Sequence, residues 1–147
     1  MQDVAARMTI EDYSERLQAI VDHVGSVFRG KPEIVRLTLA ALVADGHVLL
    51  EDVPGVGKTT LALALARTLG LEFQRIQFTS DLLPADITGV SVYSQQDGSF
   101  TFKPGPIFAN LVLADQINRT TLQSQAALLD PKSEQKVSVA DKTYDLP

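Results

Sequence analysis

Apolar residues in the first part of the chain recur at helical spacing, and beyond it that spacing gives way to short runs. Leu17, Ile20, Val21, Val24 and Val27 lie three and four apart, which predicts one amphipathic helix over 10–28. Arg29-Gly30-Lys31-Pro32 interrupts it, and Pro32 suits the first turn of a second amphipathic helix over 34–44, closed by Asp45-Gly46. His47-Val48-Leu49-Leu50-Glu51 is a mostly apolar run between a glycine turn and a glycine-rich loop, and it reads as a buried parallel strand. The stretch 59–69 is rich in Leu and Ala, and Gly70 is placed to cap it.

The second half of the chain is built differently. Residues 73–78 predict a strand with imperfect alternation around Arg75 and Ile76. Val92-Tyr93 and Phe100-Thr101-Phe102 flank Gln95-Gln96-Asp97-Gly98, the turn signal of a β-hairpin over 91–102. Leu111-Val112-Leu113-Ala114 predicts a further buried strand ending at Asp115. Residues 122–129 predict a helix that Pro131 stops. Val137-Ser138-Val139 and Thr143-Tyr144 suggest a last hairpin about Ala140-Asp141-Lys142. Strand–helix–strand followed by strand–helix is the order of an α/β fold with a parallel sheet.

Composition narrows the function more than the fold. With 147 residues there is room for one domain with a sizeable core. Thirteen basic against eighteen acidic residues leave a net charge of -5, and no Lys/Arg cluster breaks the pattern, which argues against nucleic acid or an anionic membrane as partner. Aromatics make up only 6% and are unclustered, so no stacking platform for single strands is visible. The absence of cysteine excludes disulfides and thiolate chemistry, and His23 and His47 lack ligand spacing. No signal peptide is evident and the longest apolar run is far short of a bilayer span, so a cytoplasmic protein is expected.

The densest chemistry lies between the predicted strand at 47–51 and the helix after it, in Pro54-Gly55-Val56-Gly57-Lys58-Thr59-Thr60. A polyphosphate needs several convergent N–H donors, and a glycine-rich turn lets the backbone approach that closely. The helix behind it adds unsatisfied N–H groups and the positive end of a dipole. Lys58 would reach the terminal phosphates, and the Thr59 hydroxyl would bind Mg²⁺. The strict phosphate-loop pattern asks for glycine where this chain has Asp52. Gly-x-Gly-Lys-Ser/Thr would still arise by chance in only about one chain in 200 of this length. A second strand carrying an Asp for the Mg²⁺ shell is the other requirement, and Asp115 at the end of 111–114 meets it. The next residue, where such ATPases place a Glu that deprotonates the attacking water, is Gln116. An amide cannot take that proton at neutral pH, so ATP binding with weak hydrolysis is expected. Asp86 and Glu51 are other carboxylates that could substitute.

Read together, these residues resemble the MoxR branch of AAA+ ATPases. The resemblance runs from Gly30-Lys31-Pro32-Glu33-Ile34-Val35 to the end of the chain. It is most specific in 46–59, Arg75-Ile76-Gln77-Phe78-Thr79, Asp81-Leu82-Leu83-Pro84, Gly89-Val90-Ser91-Val92-Tyr93, 103–110 and Ile117-Asn118-Arg119. It implies a P-loop NTPase three-layer sandwich, with an N-terminal helix and linker over 1–30 and a partial nucleotide-binding core over 31–147. It implies that the 91–102 hairpin is the insert marking this clade, and that Gly30 to Ile34 lie near adenine. ATP and Mg²⁺ are the implied cofactors, with Pro54, Gly55, Val56, Gly57, Lys58, Thr59 and Thr60 on the phosphates and Thr59 and Asp115 on the metal. A hexameric ring, chaperone-like work and a von Willebrand factor A domain partner are implied as well. Gln116 departs from the family's catalytic Glu, and Asp130-Pro131-Lys132 interrupts a helix the family continues. The chain stops before the family's sensor strand, arginine finger and helical lid, and that strand would lie between the phosphate-loop strand and the Asp115 strand. Restoring a Glu at 116 is therefore expected not to recover turnover alone, and a non-hydrolysing ATP-binding module or decayed fragment is the alternative reading.

Overall fold

The computed structural model describes residues 8–51 and 57–147, and the chain divides into two compact units, Met1–Gly70 and Leu71–Pro147. The first unit is helical: α1 (Ile10–Val27), α2 (Pro32–Val43) and α3 (Lys58–Leu69). A reciprocal cap opens α1. The Thr9 hydroxyl accepts from the Asp12 N–H at 3.2 Å, and the Asp12 carboxylate accepts from the Thr9 N–H at 2.7 Å. α2 starts on Pro32, whose missing N–H costs nothing in a first turn.

Val21, Val24 and Phe28 meet Val35 and Leu39 of α2 and Leu61 and Leu65 of α3 in one buried cluster. The face of α1 is narrower than its sequence suggests, because Leu17 and Val27 remain exposed while Ile20, Val21 and Val24 turn inward. The predicted strand at 47–51 is not formed. The segment has no strand assignment and pairs with nothing among the described residues. Val48 is 41% exposed and Leu49 77%, and only Leu50 packs against the cluster. Apolar composition cannot make a strand by itself, since the backbone N–H and C=O groups need a neighbouring ladder.

The second unit holds the sheet structure. β1 (Phe73–Gln77) pairs in parallel with β4 (Leu111–Asp115), with Phe73 opposite Leu111 and Gln77 opposite Asp115. Between them come a short helix α4 (Pro84–Thr88) and an antiparallel hairpin of β2 (Gly89–Ser94) and β3 (Ser99–Pro104). Gly89 is left-handed (φ 99), and a Cβ there would lie 2.3 Å from the Lys103 carbonyl oxygen, so the base of the hairpin admits no side chain. Phe102 stacks on Tyr144 with ring centroids 4.0 Å apart, tying this hairpin to the last one, β5 (Lys136–Val139) with β6 (Lys142–Asp145). Ile76, Phe78, Ile87, Ile107 and Val137 form the core of this unit.

Pro131 does not stop its helix: α5 runs from Leu122 to Glu134 and contains it. Proline removes one hydrogen bond and crowds the carbonyl four residues back. Here the loss falls near the end, where Lys132, Ser133 and Glu134 complete the helix before Gln135 turns left-handed (φ 56) and donates to the Pro131 carbonyl at 2.7 Å. The ring is also buried, which offsets part of the cost.

The Thr9 cap yields a test. The Thr9 N–H, and then its hydroxyl, hold the Asp12 carboxyl below its ordinary value. A depressed folded-state value means the contribution is complete above the unfolded-state value and is lost as pH falls through the folded-state one. Thr9→Ala is expected to cost about 1 kcal/mol at neutral pH in urea denaturation, with the gap to wild type narrowing but not vanishing in acid, where only the hydroxyl's bond to the Asp12 carboxylate is lost. Stability equal to wild type at neutral pH would show that Thr9 does not cap the helix.

Candidate functional site

Asp52, Val53, Pro54, Gly55 and Val56 lie outside the described residues, so the structure meets the glycine-rich loop at Gly57. That residue is left-handed (φ 88, ψ 26) and is the N-cap of α3, and the Leu61 N–H donates to its carbonyl at 2.9 Å. α3 therefore begins at Lys58, one residue earlier than the sequence suggests, with Thr59 and Thr60 in its first turn. Lys58 and Thr59 are half-buried and Thr60 is exposed.

This helix start differs chemically from the others. α1 carries Glu11 and Asp12 in its first turn and α2 carries Glu33, each offsetting the positive end of the helix. α3 has no side-chain cap and no acidic residue in its first turn. The positive end of its dipole suits an anion, with Lys58 adding a positive charge at the same end. Phe28 braces the position, since a Cβ on Gly57 would lie 3.3 Å from the Phe28 ring. Sequence reasoning missed that contact, because Phe28 reads simply as the last apolar residue of a helix.

The acidic candidate residues belong to the second unit. β4 ends on Asp115, whose carbonyl accepts from the Phe78 N–H at 2.9 Å. Its carboxylate Oδ2 accepts from Arg75 Nη2 at 2.5 Å, with the two side chains 29% and 43% exposed. β1 and the residue after it thus fix both the backbone and the carboxylate of Asp115. Sequence reasoning treated Arg75 only as an imperfect position in the strand's alternation, since among Gln74 and Gln77 a further polar residue carries no signal of its own.

Gln116 follows in the left-handed region (φ 58, ψ 39), exposed, and starts a turn in which the Arg119 N–H donates to its carbonyl at 2.9 Å. Gly57 to Thr60 thus cluster at one helix start, and Asp115 and Gln116 at one strand end beside Arg75. Among the described residues no group of three or more His, Asp or Glu side chains could cage a metal. A Mg²⁺ bound largely through phosphates needs no such cage, and the Thr59 hydroxyl and the Asp115 carboxylate are each oxygen donors of the kind that ion takes.

Residues 47–147 match the ATPase family associated with various cellular activities (AAA). Over 131 residues the chain is 42% identical to the chaperone MoxR1 of Mycobacterium tuberculosis, covering 89% of this chain and 35% of that one. The chain belongs to the MoxR branch of the AAA+ ATPases. The chain is also 53% identical over 136 residues to the protein YeaC of Bacillus subtilis, covering 92% of this chain and 42% of that one. A crystal structure of a candidate ATPase from Cytophaga hutchinsonii superposes with a TM-score of 0.76 at 44% identity, covering 92% of this chain and 41% of that one. This MoxR-family chain therefore spans less than half the length of these relatives.

The left-handed Gly57 provides the test of the site's geometry. Gly57→Ala is expected to destabilise the protein by about 1–2 kcal/mol, the cost of holding an L-residue left-handed, with the Phe28 ring displaced besides. Unchanged stability in urea would show that the phosphate-loop end of α3 does not need this backbone.

Proposed function

We propose that this chain is the ATP-binding module of a MoxR-type, chaperone-like ATPase, and that it holds ATP with little turnover. The observation that carries the reading is the start of α3: left-handed Gly57, then Lys58 and Thr59, without a side-chain cap or a first-turn acid. Gly55, Val56 and Gly57 would wrap the phosphates with backbone N–H groups behind the turn that Pro54 opens, Lys58 would neutralise the terminal ones, and Thr60 would add a donor from the same turn. The Thr59 hydroxyl and the Asp115 carboxylate are the proposed Mg²⁺ ligands, and that ion would supply charge neutralisation to the phosphates.

Weak hydrolysis follows from Gln116. Its amide can orient a water but cannot accept the proton, and general-base assistance is worth about 10² to 10⁴ in rate. A second reading, a module that binds ATP without any turnover, is favoured by the same residue. The family setting supports assembly into a hexameric ring in the cytoplasm and work on a protein client beside a von Willebrand factor A domain partner. The name of the mycobacterial relative, a chaperone, agrees with such work.

Two measurements test the reading. Lys58→Ala is expected to weaken ATP binding by at least tenfold in calorimetry, because a charge-assisted contact of about 1.5–3 kcal/mol is lost. Affinity within twofold of wild type would move the nucleotide site elsewhere. ATP incubated with the unmodified chain should be recovered intact, with Gln116→Glu run beside it to isolate what the amide contributes. Turnover by the unmodified chain at about 1 s⁻¹ or faster, ordinary for an enzyme, contradicts the hydrolysis half.

A further inference from the structure

The strand register puts Arg75 where it contacts the carboxylate proposed for the metal. In the parallel pair Arg75 lies opposite Leu113, and Asp115 is two residues further along β4. Side chains two apart on a strand share a face, and partners across a ladder share it too. Arg75 and Asp115 are thus diagonal neighbours on one face, while Ile76, Val112 and Ala114 pack into the core on the other. The guanidinium reaches along that diagonal to Asp115 Oδ2.

We propose that Arg75 is a positioning residue that latches Asp115 in the metal-free protein and must yield the carboxylate when Mg²⁺ arrives with the nucleotide. The inference rests on the reading of Asp115 as a metal ligand. A cation beside a carboxylate holds it in place, yet it also repels a divalent ion approaching the same oxygens. Phe78 already anchors the backbone of Asp115 through its carbonyl, so releasing the side chain from Arg75 does not free the strand end. The pair is partly exposed, so the opposing interaction is small and adjustable rather than prohibitive. Arg75 thereby sets the Mg²⁺ concentration at which the site loads.

The test is the Mg²⁺ dependence of ATP binding by the whole chain, followed with a fluorescent ATP analogue for wild type, Arg75→Ala, Arg75→Lys and Asp115→Asn. Thermal unfolding of each variant confirms that it is folded before its titration is read. Arg75→Ala is expected to load at about two- to fivefold lower Mg²⁺ than wild type, the range an exposed ion pair supports. Arg75→Lys, which keeps the charge, should stay near wild type. An unchanged or higher Mg²⁺ requirement in Arg75→Ala, with Asp115→Asn requiring more than wild type, would overturn the latch and leave the metal reading standing. An Asp115→Asn titration identical to wild type would instead remove the metal reading on which the latch depends.

Discussion

Parallel strands have inequivalent ends, and that polarity governs the second unit. Because β1 and β4 run the same way, their carboxyl ends finish together, and the chain leaves both through turns at one edge. Crevices at the carboxyl ends of parallel strands are where α/β proteins bind ligands. Asp115 and Gln116 lie at that edge, and Arg75 reaches toward it. The ladder thus does two jobs, burying Ile76, Val112 and Ala114 on one face and presenting a charged pair on the other.

A different constraint shapes the first unit. The start of α3 depends on a left-handed glycine pressed against Phe28, and Phe28 itself belongs to the cluster that joins α1, α2 and α3. Packing therefore reaches the phosphate-loop end of the helix through a single ring. The missing anionic cap at this helix, beside the acid-bearing starts of α1 and α2, leaves a positive terminus suited to phosphate. Destabilising α1 should consequently loosen the helix start as well as the core.

Much of this was legible in the sequence, for physical reasons that differ by element. Helices announce themselves through local periodicity, so 10–28 and 59–69 came within a residue or two of α1 and α3. The β2–β3 hairpin was legible because its turn residues, Asp97-Gly98, favour that reversal locally. The run at 47–51 was misread because a strand is a relation between segments, and its apolar residues say nothing about whether a partner is present. Pro131 was misread because the cost of proline depends on how many helical bonds remain beyond it. Asp115 was legible as the acid at a strand end, but its partner Arg75 was not, since the diagonal contact exists only once the register of β1 on β4 is known.

The central claim, that the start of α3 receives the phosphates of ATP, is tested most directly by amide NMR of the labelled chain titrated with ATP and Mg²⁺. The account predicts large shifts at the amides of Gly57, Lys58, Thr59 and Thr60, with the indirect response of Asp115 appearing only when Mg²⁺ is present. Saturable ATP binding that leaves the amides of 57–60 unmoved would contradict it.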